Sequence, residues 1–176
     1  MSQLPVASQE EKDVYFMGEA IALAQRAGAM GEVPIGCVIT RNDEIVGRGY
    51  NRRETGKTAL GHAELMAIED ACRNLGGWRL WQCRMYVTLE PCPMCAGAII
   101  NARIPVVVFG ASDSKAGSVG SVTDLFTMPY NHHPQVIRGI REEECAALLR
   151  GFFRSLRGRK KSRSAAGNID KPDFSG

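Results

Sequence analysis

The chain has 176 residues with a formal net charge of +3. That length suits one domain with a real hydrophobic core and leaves little room for a second. At 44% hydrophobic and 23% charged residues it is neither disordered nor membrane-like in composition. No run approaches the roughly 18 apolar residues of a membrane span, and no signal peptide is visible. A reducing, cytoplasmic setting is expected. Its six cysteines then read as metal ligands or buried thiols rather than as a disulfide framework.

Residues 1–8 read as an N-terminal lead. Ser8 and Glu11 have the spacing of a capping box, and Val14, Met17, Ile21 and Ala24 continue at helical spacing to about Gly28. Ile35–Thr40 and Ile45–Tyr50 read as an antiparallel hairpin around the turn Arg41–Glu44. A polar loop follows to Gly61. His62 opens a second helix lined by Leu65, Ile68, Cys72 and Leu75, and Gly76–Gly77 end it. Met85–Leu89 is a third strand, Cys92–Asn101 a third helix and Ile104–Gly110 a fourth strand. A glycine-rich loop spans Ala111–Ser121, with a short helical segment near Asp124. His132 and His133 read as loop residues rather than a second metal site. Gln135–Gly139 is a fifth strand, and Glu142 to about Leu156 a closing helix. Residues 158–176 read as a basic, disordered tail. Its charge begins in the preceding helix, with Arg154 and Arg157, and continues through Arg159, Lys160, Lys161 and Arg163. Such a run can neutralise phosphates or simply stay solvated. Strands joined through helices predict an α/β fold with helices on both faces of one sheet.

Two motifs carry chemistry. In Pro91-Cys92-Pro93-Met94-Cys95 the sulfurs three residues apart share one helix face. Pro93 suits the first turn, and the free N–H groups there favour thiolate. Sulfur ligation points to zinc. His62 can supply a third ligand, which leaves a tetrahedral position open, as in catalytic zinc sites. Cys37 and Cys83, the remaining candidates for a fourth ligand, sit in apolar strand contexts and read as core. Glu64, two residues from His62, diverges from it on a helix. It is therefore assigned to proton transfer beside the metal, with a pKa raised by burial. A purely structural zinc with Glu64 on the surface is disfavoured, because a chain this long needs no metal staple.

His-x-Glu followed by Pro-Cys-x-x-Cys is the signature of zinc nucleobase deaminases. Over residues 9–157 the chain resembles the bacterial tRNA-specific adenosine deaminase family of the cytidine deaminase-like superfamily. The resemblance rests on Glu32-Val33-Pro34-Ile35-Gly36, Asn51, His62-Ala63-Glu64 and Val87 through Ala98. It extends to Phe109-Gly110-Ala111-Ser112-Asp113-Ser114-Lys115, Glu144-Cys145-Ala146 and Phe152-Phe153. It implies a three-layer α/β/α fold around a central mixed five-stranded sheet, and one zinc ion per subunit. The implied reaction is hydrolytic conversion of adenosine to inosine in tRNA, at the wobble position of the anticodon. It also implies that Asn51 bonds the target base and that Val33, Pro34 and Ile35 wall its pocket. Asp113 and Lys115 would contact the anticodon stem-loop, and Phe153 and Arg154 the flipped nucleotide or its neighbours. A homodimer is implied too. Where family members commonly carry Asp-Pro-Thr-Ala before the histidine, this chain has Thr58-Ala59-Leu60-Gly61.

Two alternatives remain at this stage. One is a deaminase of a free base or nucleoside such as cytosine, cytidine or guanine; the basic run and the Asp113/Lys115 loop argue against it. The other is a non-catalytic, zinc-containing RNA-binding protein; Glu64 and the three-ligand set argue against that.

Overall fold

The capping box at the first helix forms as the spacing predicts. Ser8 Oγ accepts from the Glu11 N–H at 3.2 Å, and Glu11 Oε2 accepts from the Ser8 N–H at 2.7 Å. This starts α1 (Gln9–Ala29) in a computed structural model that describes residues 7–166. Residues 1–6 of the expected lead lie outside the described residues. Then follow β1 (Gly36–Arg41), β2 (Glu44–Tyr50), α2 (Ala63–Leu75), β3 (Cys83–Leu89), α3 (Pro93–Ala102) and β4 (Val106–Ala111). A short 3-10 turn at Leu125–Thr127, β5 (Gln135–Arg138) and α4 (Glu142–Ala166) complete the order. Asn42 and Asp43 both take positive φ between β1 and β2, the backbone that a two-residue hairpin turn requires.

The sheet order is β2-β1-β3-β4-β5. β1 pairs antiparallel with β2 and β3, while β4 pairs parallel with β3 and β5. The sheet is therefore mixed and five-stranded, as expected. Period-two alternation divides its side chains between two cores. Cys37, Ile39, Met85, Val87, Val107 and Phe109 face α2 and α3. Val38, Tyr86 and Val108 face α1 and the start of α4, including Cys145. Helices thus cover both faces, giving three layers. All six cysteines are free thiols. Cys37, Cys83 and Cys145 are buried in these cores and Cys72 packs at the margin.

Two contacts seat the helix that carries the site. A Cβ on Gly49 would lie 2.1 Å from the Ala63 carbonyl oxygen, and one on Gly47 would lie 2.4 Å from that of Ala67. Only glycine lets β2 approach the backbone of α2 this closely. On the opposite face Asp13 ties α1 to β3. It accepts from Tyr86 Oη at 2.8 Å, from Arg84 Nη2 at 3.0 Å and from Gln9 Nε2 at 2.8 Å.

Composition and charge predict that α4 ends near Leu156 and that a disordered tail starts at 158. The helix instead continues to Ala166, so residues 158–166 are helical. Composition misled here: Gly158 and the crowded cations weigh against a helix, yet local backbone hydrogen bonding persists. Residues 167–176 of that tail lie outside the described residues. No helix among the described residues is long and apolar enough to cross a membrane.

Candidate metal and active site

Both motifs sit one residue earlier in their helices than the periodicity placed them. His62 is the N-cap of α2 and Cys92 the N-cap of α3, each with extended backbone. Neither side chain caps its own helix, so both are free to turn toward a common point. Cys95 is then the third residue of α3. Its relation to Cys92 is that of Glu11 to Ser8 in α1, where side chains from the N-cap and third positions meet.

The three donors converge. His62 Nδ1 lies 3.6 Å from Cys92 Sγ and 3.5 Å from Cys95 Sγ. A tetrahedral zinc with bonds of about 2.3 Å to sulfur and about 2.0–2.1 Å to nitrogen separates such ligands by about 3.5 Å. The side chains present therefore fit zinc in both spacing and chemistry. Among the described residues, these three form the one cluster whose donor atoms all lie within 4.8 Å of one another. Among the described residues no Asp, Glu, Cys or second His joins this cluster, and Cys37 and Cys83 stay in the core. His132 and His133 are held elsewhere, by the carbonyls of Ile104 and Phe126.

The electrostatics suit metal binding. The neighbouring Cys95 thiol, and after it the His62 ring, bring Cys92 down to about 4. Cys95 is pushed strongly upward, first by that contact and then by burial. The bond to Cys92 raises the pKa of His62. The cluster so favours one thiolate and holds protons that a metal would displace. Glu64, the second residue of α2, is 4% exposed. Burial pushes its carboxyl up to about 7, and the charge of Cys92 adds to this. A carboxyl in that range can take and return a proton near neutral pH. Its influence extends to Cys37 behind it, whose thiol is raised by burial and then by the charge of Glu64.

The family model for the cytidine and deoxycytidylate deaminase zinc-binding region matches residues 10–111. The chain is 48% identical over 152 residues to a tRNA-specific adenosine deaminase of Bacillus subtilis (strain 168), covering 86% of this chain and 94% of that one. The chain belongs to the bacterial tRNA-specific adenosine deaminase family. It is also 47% identical to the tRNA-specific adenosine deaminase of Streptococcus pyogenes serotype M1, over 86% of this chain and 89% of that one. A solved structure from work on A-to-I editing by tRNA:A34 deaminases is 43% identical, with a TM-score of 0.74. That match covers 77% of this chain and 99% of the other.

In this deaminase family member one set of the predicted residues is joined to the loop that leads into His62. Asn51 Nδ2 donates to the Val33 carbonyl at 3.3 Å, and Asn51 Oδ1 accepts from the Arg53 N–H at 3.1 Å. The Asn51 N–H donates to the Ile35 carbonyl at 3.0 Å. Arg52 N–H then bonds the Gly61 carbonyl at 2.9 Å, closing the 52–61 loop so that Asn51 and His62 stand at its two ends. Pro34 is buried, and Val33 and Ile35 are half-buried.

A second set lies in the loop after β4. Asp113 turns its own carboxylate inward: Oδ1 accepts from the N–H groups of Lys115 at 2.9 Å and Ala116 at 3.2 Å. Lys115 is exposed. Phe153 and Arg154 are exposed on α4.

Sequence reasoning missed two buried carboxylates that shape these loops. Glu90 accepts from the Asp113 N–H at 3.0 Å, Val119 N–H at 3.3 Å, Ser121 N–H at 3.0 Å and Ser121 Oγ at 2.5 Å. Glu32 accepts from the N–H groups of Thr55 at 2.6 Å and Glu54 at 3.3 Å. Burial alone would raise both pKa values, but these donors outweigh it and hold both carboxyls below the usual range. A clue was present for Glu90, a charged residue between an apolar strand and a metal ligand. The positions of its partners were not legible.

Proposed function

We propose that this protein is a zinc-dependent hydrolase that converts adenosine to inosine in tRNA, at the wobble position of the anticodon. One observation carries the reading: three donors spaced for a tetrahedral metal, with no fourth protein ligand among the described residues and the buried, raised-pKa carboxyl of Glu64 two residues from His62. Family membership supplies the substrate class, since the relatives and the solved neighbour act on tRNA adenosine by name.

His62, Cys92 and Cys95 would hold the zinc, which supplies Lewis acidity that activates water near neutral pH. Glu64 accepts a proton from the attacking water and returns one to N1 of the base. Water's oxygen bonds C6, the C6–N bond breaks, and adenosine plus water become inosine plus ammonia. Asn51 offers a second amide N–H and a second lone pair beyond its bonds to Val33 and Arg53, so it can bind base edges without dismantling its loop. Val33, Pro34 and Ile35 would wall the base. Phe153 and Arg154 on α4 would meet the flipped nucleotide or its neighbours, and exposed Lys115 would meet anticodon-loop phosphate. Asp113 fits a loop-shaping part better than a direct RNA contact, given its two internal bonds. Unpaired loop bases make extrusion less costly than from a duplex.

A pair of copies belongs to the same proposal. Large apolar side chains at Leu60, Val122 and Tyr130 are exposed in loops beside His62 and beyond Glu90, where a partner copy would cover them. The cytoplasm is the proposed compartment. The test is to incubate zinc-loaded protein with tRNA and sequence the product. Adenosine read as guanosine at the first anticodon position is expected. Unchanged tRNA, with ammonia released from free cytidine or guanine instead, would overturn the reading.

A further inference from the structure

The cations expected in a disordered tail stand on a helix that continues to Ala166. α4 borders the end of the sheet where the site lies. Cys145 packs on Gly110 near the end of β4. Further along, Gly151, Ser155 and Arg159 line a cleft of about 390 Å³ with Gln25, Gly28 and Pro34. Pro34 directly precedes Ile35, whose carbonyl Asn51 engages. The helix then continues to Ala166, a span of about 22 Å from Gly151 at 1.5 Å per residue.

From Gly151 to Ala166 there are six cations and no acid. Arg150 is paired with Glu143, but Arg154, Arg157, Arg159, Lys160, Lys161 and Arg163 make no ion pair with any described residue. All six are exposed. Arg154, Arg157 and Lys161 share one face with Lys160 beside them, and Arg159 and Arg163 occupy the other. The pairs 154/157, 157/160, 157/161, 159/163 and 160/163 set like charges one turn apart, and each disfavours the helix. Gly158 disfavours it further through backbone entropy. Such a helix is self-repelling in water, and a polyanion laid along it relieves the repulsion between its cations.

We propose that Arg157–Arg163 is a second RNA-binding surface, which grips the ribose-phosphate backbone of the substrate tRNA outside the nucleotides bound at the zinc site. The contact is independent of sequence and acts on affinity rather than chemistry. It rests on the tRNA reading above. Lys and Arg on phosphates release counterions, contributing about 0.7–0.9 each to the log–log slope of affinity against salt.

The experiment measures equilibrium binding of a tRNA transcript to the full zinc-loaded chain across a salt series, beside turnover of the same RNA. The variant R157Q/R159Q/K160Q/K161Q/R163Q should lower the slope by at least about 2. At about 0.15 M salt its Kd should rise at least about tenfold, with zinc content and saturated kcat within about twofold of the parent. A chain ending at Leu156 should behave alike. The double variant R73Q/R79Q, in exposed positions near the end of α2, controls for net charge. An unchanged slope, an equal loss per charge in the control, or a loss confined to kcat overturns the inference. So does binding to phosphatidylserine vesicles that the five-fold variant loses while RNA affinity is kept. Failure of the parent to convert tRNA adenosine sinks the function reading alone, because binding is read without turnover.

Discussion

Nδ1 of His62 stands 3.5 Å from Sγ of Cys95, although α2 and the whole of β3 separate the two residues in sequence. The spacing is that of two ligands on one zinc ion, so loss of either neighbour should show first in metal content. Cys92→Ser is expected to weaken zinc affinity by about 100-fold or more. Metal analysis after dialysis against a weak chelator checks this. Stripping zinc from the parent should lower its melting temperature, since metal bound only by the folded form stabilises it.

Glu64 should separate metal binding from turnover. Glu64→Ala is expected to keep one zinc per chain and lose about 10²- to 10⁴-fold in kcat. Zinc analysis and single-turnover assays on one preparation test both halves. Normal turnover of tRNA by that variant would remove Glu64 from the proton-transfer role.

Glu90 should act through the loop it anchors. Glu90→Gln removes a charge that four donors address and turns an N–H group toward them. A stability loss of about 2 kcal/mol is expected, with faster amide exchange at Asp113, Val119 and Ser121. Zinc content should be unchanged. Exchange rates matching the parent would show that the loop holds itself.

Glu32 gives a pH signature. Its folded pKa is lowered, so the fold favours the carboxylate over the acid. That contribution is fully present above the unfolded carboxyl value of about 4.3 and is lost as pH falls through the lower folded value. Glu32→Gln should be less stable than the parent at neutral pH. The difference should shrink as pH falls below about 4.3. Urea unfolding at a series of pH values checks the sign, and parallel curves would refute it.

Asp13 is the structural counterpart on the other face of the sheet. Asp13→Ala strands the buried Tyr86 hydroxyl and leaves Arg84 without its carboxylate. An expected loss of about 3 kcal/mol should leave kcat intact in protein that remains folded. Chemical denaturation beside zinc-loaded kinetics measures both.

The sequence carried the element order because each element had a local signature. Ser8 with Glu11 began α1, apolar runs between turn residues marked β1, β3 and β4, and Pro93 marked the first turn of α3. The metal ligands were legible for the same reason, since Cys92 and Cys95 lie within one turn and His62 opens a helix. Glu32 and Glu90 were not. Their partners lie more than twenty residues away, and no local pattern says that a carboxylate will be buried under a loop. The length of α4 was misjudged because propensity and charge spoke for a tail where the backbone stays helical.

Because β2 meets α2 through Gly47 and Gly49 with no room for a methyl group, the helix bearing His62 and Glu64 cannot be nudged without moving the sheet. Adaptation to a different nucleotide therefore has to happen elsewhere. The two rim segments each hinge on a single acidic anchor, so their outward residues can be exchanged while the reaction centre keeps its register.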